Sequence, residues 1–300
     1  MTTQPFGRLI TAMATPFTED GSVDYGRARQ LARGLVASGT ETLVVSGTTG
    51  ESPTLTSAEK LRLFEATKEA VGSTATVIAG TANYNTAESI ELSREAAKTG
   101  IDGILGTVPY YNKPPQAGLE AHFRALADAV ELHIVLYNVP SRTATNMLPE
   151  TTIRLSEVPN IVGIKEASGN FDAIGQIIRE SPDGFLVWSG NDGDTLPIMA
   201  LGGYGVVSVA SHLVGRQIAQ LIDCVIEGAP QEAARIHARL APIFAALFVT
   251  TSPIPLKYAL RQVGFSCGGH RLPLVDIDAK SAAIMDAALV KTVIDLPPPD

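Results

Sequence analysis

Cysteine is scarce in these 300 residues: the two present, Cys224 and Cys267, lie far apart and outside any CxxC spacing. Neither a disulfide framework nor a thiolate metal site is indicated. The five histidines are scattered without ligand spacing, so no metal site is expected from them either. Basic residues are in the minority, with 23 Lys and Arg against 31 Asp and Glu and a net charge of −8. That balance offers no electrostatic footprint for nucleic acid or for an anionic membrane surface. No uninterrupted apolar stretch reaches the ~18 residues of a membrane span. The N-terminus also lacks a basic region leading into an apolar one. These absences predict a soluble, cytoplasmic protein whose partner is a small molecule, with no nucleic acid and no membrane.

What the chain does have is alternation. Short β-rich apolar runs cover Leu9 to Thr15, Thr42 to Ser46, Thr76 to Gly80, Gly103 to Val108, His133 to Asn138, Ile161 to Lys165, Phe185 to Ser189 and Val206 to Ala210. Helical patterns lie between and after them, over Tyr25 to Ala37, Ser57 to Val71, Thr86 to Thr99, Gly118 to Ala129, Pro149 to Leu155, Phe171 to Arg179, Asp194 to Ala200 and Val214 to Glu227. Thr56 or Ser57 with Glu59, and Thr86 with Glu88, read as helix starts, while Gly39, Gly72 and Gly100 stand where helices should stop. Strict strand and helix alternation implies an α/β fold, a closed (β/α)₈ TIM barrel, with an open doubly wound sheet as the alternative. After the eighth helix come three helical stretches with no strand between them, Gln231 to Thr250, Ile254 to Val263 and Asp278 to Val293. The expected division is a catalytic barrel over 1–228 and a C-terminal helical extension over 229–300. No internal repeat beyond the alternation and no low-complexity segment is present.

One strand ends on an unusual residue. Lys165 closes the apolar run Ile161-Val162-Gly163-Ile164. A free lysine, with a pKa of about 10.4, is roughly a thousandth neutral amine near pH 7.4. Burial disfavours the charge and lowers that pKa, so a lysine in an apolar strand is either paired off or chemically active. Carbonyl capture as a Schiff base is a common use of an activated one.

In a barrel, function sits where strands end. Strand 2 ends in Ser46-Gly47-Thr48-Thr49-Gly50-Glu51, strand 4 in Pro109-Tyr110-Tyr111-Asn112-Lys113, and strand 5 in Tyr137-Asn138-Val139-Pro140-Ser141-Arg142. Strand 6 ends in Lys165-Glu166-Ala167-Ser168 and strand 7 in Ser189-Gly190-Asn191-Asp192. Each member has a plainer reading. Lys165 could pair with Glu166, Tyr137 could simply pack its ring, Thr48 and Thr49 could cap the next helix, and Arg142 could be a solvated loop charge. Gly202, Gly203 and Gly205 suggest a phosphate loop, but they follow a helix and precede a strand, which favours turn and cap glycines. His122 and His237 fall within helical patterns and read as structural. Convergence on one face is what favours chemistry: an amine, hydroxyls and phenols to carry protons, and a guanidinium for a carboxylate.

The same segments resemble the dihydrodipicolinate synthase family of the pyruvate-dependent class I aldolase superfamily, to which N-acetylneuraminate lyase also belongs. The matching stretches are Gly47-Thr48-Thr49-Gly50-Glu51, Tyr110-Tyr111-Asn112, Tyr137-Asn138-Val139-Pro140-Ser141-Arg142-Thr143 and Gly163-Ile164-Lys165-Glu166. The resemblance continues through Leu201-Gly202-Gly203, Val206-Val207-Ser208 and Pro253-Ile254-Pro255-Leu256-Lys257. It implies condensation of pyruvate with L-aspartate 4-semialdehyde through a lysine Schiff base, on the route to diaminopimelate and lysine, with no metal or organic cofactor. Lys165 is then the nucleophile, and Tyr137, Thr48 and Tyr111 form a proton relay, Tyr111 serving a neighbouring subunit. Thr49 would hold the pyruvate carboxylate and Arg142 that of the semialdehyde, while Gly190 and Val207 would contribute backbone carbonyls. A homotetramer built as a dimer of dimers is implied. Thr48-Thr49 beside Arg142 favour this family over aldolases acting on keto-deoxy sugar acids, the nearest alternative; a catalytically silent keto-acid-binding barrel is the more distant one.

The chain departs from the family pattern at Ser252, where Asn is common, and at Leu256, where Val is usual; both changes should affect packing. In the segment implied to bind lysine as an effector, Tyr84, Glu88 and Tyr110 are the candidate site. Ser57 and Lys60 replace histidines there, and Tyr84 replaces a small polar residue. An added cation should repel the effector's ammonium groups, so weak or absent inhibition by L-lysine is expected.

Overall fold

A computed structural model describes residues 4–299. Eight parallel strands close a barrel in sequence order: β1 (Leu9–Ala12), β2 (Thr42–Val45), β3 (Thr76–Gly80), β4 (Gly103–Thr107), β5 (His133–Asn138), β6 (Ile161–Glu166), β7 (Leu186–Ser189) and β8 (Gly205–Ser208). The closing pair sets Ile10 opposite Val207, which excludes the open sheet. The helices are α1 (Tyr25–Ala37), α2 (Ser57–Val71), α3 (Thr86–Ala97), α4 (Gln116–Ala129), the single turn α5 (Pro140–Thr143), α6 (Pro149–Ser156), α7 (Phe171–Glu180), α8 (Thr195–Ala200), α9 (Ser211–Ile226), α10 (Pro230–Ala246), α11 (Ile254–Gln262) and α12 (Ala279–Leu289).

Successive strand residues point to opposite faces, and the barrel uses both. Leu9, Leu43, Val77, Ile104 and Ile134 pack outward against the helices. Their neighbours Ile10, Val44, Ile78, Leu105 and Val135 fill the interior together with Trp188 and Val207. Burial of each such side chain contributes roughly 1.5–3 kcal/mol, so the strands are held by two apolar bodies at once. Ile236, Leu240 and Phe244 of α10 and Met285 of α12 belong to the same outer layer as the barrel residues. In the extension, α10 lies along α9, and α12 packs on α10 and α11.

Local signals account for most boundaries. Thr56 caps α2 in a reciprocal box with Glu59, and Gly72 ends that helix. For α3 the cap is Asn85 rather than Thr86, its side chain accepting from the Ala87 and Glu88 amides. The eighth barrel helix begins three residues earlier than its periodicity suggests, with non-helical angles at Val214, the residue where the amphipathic pattern starts. Gly202, at φ +102°, follows the end of α8, and Gly203 and Gly205 press against Ile198 and the Arg8 backbone, as turn and packing glycines do. His122 is buried, with Nδ1 2.9 Å from the Thr86 hydroxyl, and burial pulls its pKa down to about 4. Among the described residues no helix is long and apolar enough to cross a membrane.

Candidate active site

The strand alternation aims Lys165. Ile164 faces the outer layer, so Lys165 points into the barrel mouth, and β6 runs one residue further, to Glu166. Lys165 is only 6% exposed, and its Nζ stands 4.1 Å from the centroid of the Tyr137 ring. Tyr137 is the residue opposite it in β5, and Trp188 the residue opposite in β7. Burial pulls the ammonium down to about 7, against the opposing pull of the Asp192 carboxylate; the Arg142 cation lowers it further. A substantial neutral fraction is therefore present near neutral pH, the form that attacks a carbonyl.

Glu166 does not neutralise Lys165. It faces the other way, accepting from Asn138 Nδ2 at 3.1 Å and from the Ser168 amide at 2.7 Å. The carboxylate whose field reaches Lys165 is that of Asp192, held by the Ser208 hydroxyl and by the amides of Val209 at 3.1 Å and Ala210 at 3.0 Å. Asp192 lies at the end of the strand-7 segment, but nothing in sequence spacing ties it to the end of β8. It gains its role only when the barrel closes.

Tyr137 is buried, and its phenol is pushed up to about 12, chiefly by desolvation and slightly by Glu166, against the lowering effects of Arg142 and of a hydrogen bond with Thr48. It is a proton donor at rest. Thr48 sits in a tight loop closed by three backbone bonds, from the Gly50 amide to Gly47 O at 3.1 Å, from Glu51 to Thr48 O at 3.1 Å and from Ser52 to Gly47 O at 3.3 Å. Thr49 in the same loop is buried. Glu51, which ends the loop, has left-handed backbone angles and a fully buried carboxylate, paired at 2.6 Å with Lys257 from α11.

Above these groups lies a cavity of about 460 Å³ bordered by Thr48, Lys60, Tyr84, Tyr110 and Arg142. Lys165 and Tyr137 are not part of its wall; the hydrogen bond between Tyr137 and Thr48 links the two regions. Arg142 is exposed on α5, a turn that sequence periodicity does not reveal because it is four residues long. At Gly190, which is not part of that wall, a side chain would collide with Ala167 Cβ at 2.6 Å, and the Gly190 amide donates to Glu166 O at 2.7 Å. Val207 is buried in the interior cluster beside Tyr137.

Tyr111 stands apart. It is 89% exposed with φ +69°, so within one chain it does not join Tyr137 and Thr48. The candidate effector residues are close to one another: the Tyr84 and Tyr110 rings meet edge to face at 5.2 Å, and burial, Tyr84 and Glu88 raise the Tyr110 phenol. Glu88 accepts from the side chains of Asn83 and Asn85 at 3.0 and 2.9 Å. Lys60 is half-buried in the same cavity wall with its pKa lowered by burial, and no ion pair to it is found among the described residues. No group of three His, Cys, Asp or Glu side chains suited to a metal occurs among the described residues.

The chain matches the model of the Dihydrodipicolinate synthetase family over residues 5–292. It is 55% identical over 291 residues to a 4-hydroxy-tetrahydrodipicolinate synthase of Dehalococcoides mccartyi, covering 97% of this chain and 98% of that one. It is 59% identical over 272 residues to the enzyme of that name from Symbiobacterium thermophilum, covering 90% and 92%. A crystal structure of the Cyanidioschyzon merolae dihydrodipicolinate synthase with lysine bound superposes with a TM-score of 0.95 at 49% identity, over 96% of this chain and 99% of that one. A closed barrel, a lysine in its mouth and similarity along nearly the whole length lead to one conclusion: the chain belongs to the dihydrodipicolinate synthetase family.

Proposed function

We propose that this enzyme condenses pyruvate with L-aspartate 4-semialdehyde through a Schiff base on Lys165, as a cytoplasmic step towards diaminopimelate and lysine, and that the barrel over 1–228 carries the chemistry while residues 229–300 brace it. The observation that carries this reading is the buried Lys165 amine, brought down to about 7 and set over the Tyr137 ring. Its neutral nitrogen attacks the pyruvate ketone, and the tetrahedral carbinolamine loses water as a proton reaches the departing hydroxyl. Tyr137, protonated at rest, supplies that proton and is replenished through Thr48. The iminium withdraws electrons and acidifies the pyruvate methyl, whose proton leaves through the Tyr137–Thr48 relay; the enamine carbon then attacks the aldehyde, whose oxygen takes a proton from the same relay. The substrate amine then displaces Lys165 by transimination and closes the ring, returning the lysine free.

Thr49 and the amides of its loop hold the pyruvate carboxylate, and Arg142 receives the semialdehyde carboxylate at the cavity mouth. The carbonyls of Gly190 and Val207 complete the pocket. Tyr111, too exposed to serve its own site, completes the relay of a neighbouring subunit in a dimer of dimers. The cluster of Tyr84, Glu88 and Tyr110 binds L-lysine poorly because Lys60, which shares a cavity wall with Tyr84 and Tyr110, adds a cation there. A comparative turnover assay tests the second substrate: the semialdehyde should be consumed with pyruvate, and 2-keto-3-deoxy sugar acids should not be cleaved. Preferential cleavage of a sugar acid would contradict the assignment.

A further inference from the structure

The loop bearing Thr48 and Thr49 is anchored from the far end of the chain. Lys257 of α11 pairs with Glu51 Oε1 at 2.6 Å, with both side chains at most 1% exposed, and donates to Gly269 O at 2.8 Å. The Lys257 Nζ also lies 4.2 Å from the Phe17 ring centroid, so the ammonium is enclosed on several sides. The Arg271 amide donates to the other Glu51 oxygen at 3.2 Å. The Arg271 guanidinium forks onto Glu59, with contacts of 2.6 and 3.0 Å, and reaches Thr54 O and Gly21 O at 2.8 Å each. One carboxylate of the loop and one of the following helix are thus both held by residues more than 200 positions away.

A buried ion pair is a poor source of net stability, because desolvation of both charges offsets most of their attraction. What it does supply is direction. Glu51 adopts left-handed angles that a non-glycine residue avoids, and its amide bonds Thr48 O, so a shift of the Glu51 carboxylate is passed through the turn to Thr48 and Thr49. Displacement of about 1 Å at a reacting geometry costs up to about a hundredfold in rate, which makes such a constraint consequential.

We propose that Lys257 and Arg271, from the helical extension, are positioning residues that hold the Gly47–Ser52 loop in the geometry that receives the pyruvate carboxylate. The inference rests on the pyruvate reading above. Neither residue touches substrate; both act through Glu51 and Glu59.

The test compares three enzymes by steady-state kinetics and melting temperature: the wild type, the double variant Glu51→Gln with Lys257→Met, and Arg271→Gln. Replacing both members of the buried pair avoids stranding a lone charge, so the double variant should retain a melting temperature close to that of the wild type. Its KM for pyruvate should rise about tenfold while its KM for the semialdehyde stays within about twofold. A stable double variant with unchanged pyruvate KM, or with equal rises in both KM values, overturns the proposal. If the double variant does not fold, Arg271→Gln decides, with a selective rise of about threefold in pyruvate KM expected; no rise, or an unselective one, overturns it. Borohydride trapping of pyruvate on the wild type separates the two ideas. Without a wild-type adduct the Schiff-base reading fails, whereas an adduct with the same pyruvate dependence in all three enzymes refutes only the clamp.

Discussion

Replacing Lys165 by Met should abolish chemistry and stabilise the fold, and the size of the stabilisation should depend on pH. The lysine falls from an ordinary 10.5 to about 7 in the folded chain. That gap corresponds to about 5 kcal/mol of penalty for keeping the buried ammonium charged, at about 1.4 kcal/mol per pH unit. Between these two values the folded state binds fewer protons than the unfolded one, so wild-type stability rises with pH across roughly pH 7 to 10.5. The neutral Met side chain has no such dependence. At pH 7 the variant should gain about 4 kcal/mol from the removed penalty and at pH 9 about 2. The attraction of Asp192 is already contained in the folded value of about 7, and the difference between the two pH values, about 2 kcal/mol, is the sharper number because pH-independent packing changes cancel from it. Calorimetric melting at fixed protein concentration should show a higher melting temperature for Lys165→Met at pH 7 and a smaller advantage at pH 9. An advantage that is equal at the two pH values, or larger at pH 9, refutes the reasoning.

Arg142→Ala should still form the pyruvate adduct but lose about 10–100-fold in kcat/KM for the semialdehyde, the worth of a charge-assisted contact to a carboxylate; unchanged semialdehyde kinetics would remove Arg142 from the site. Asp192→Asn takes away the carboxylate that opposes the lowering of Lys165, so the pH midpoint of adduct formation should move to lower pH, and a midpoint unmoved or raised would contradict the electrostatic role. L-lysine should inhibit steady-state turnover weakly or not at all; strong inhibition at submillimolar lysine would show that the Lys60 ammonium does not exclude the effector.

The barrel is legible in the sequence because each strand carries its own evidence: a short β-branched run, a face alternation and a following amphipathic helix. Boundaries fail where tertiary contacts rather than local propensity end an element. β1 stops at Ala12, although its apolar run continues to Thr15, and α3 starts from Asn85 because that side chain reaches two orphan amides. The site divides in the same way. Lys165, Tyr137, Thr48 and Arg142 sit at strand ends that can be read one by one, and the structure brings their charges and hydrogen bonds to bear on one another. Asp192 is aimed by β8, and Glu51 by a lysine more than 200 residues later, so neither role has a local signature. The plainer alternative, a pair between Lys165 and Glu166, fails for a simple reason: adjacent strand residues face opposite ways. Tyr111, also at a strand end, is exposed on its own chain and stands apart from Tyr137 and Thr48.

The most direct test of the whole account is reduction with borohydride in the presence of pyruvate, followed by peptide mass mapping. A single reduced pyruvate adduct is expected on the peptide containing Lys165, absent from Lys165→Met and retained in Arg142→Ala. An unmodified Lys165 in active enzyme, or an adduct on a different lysine, would contradict it.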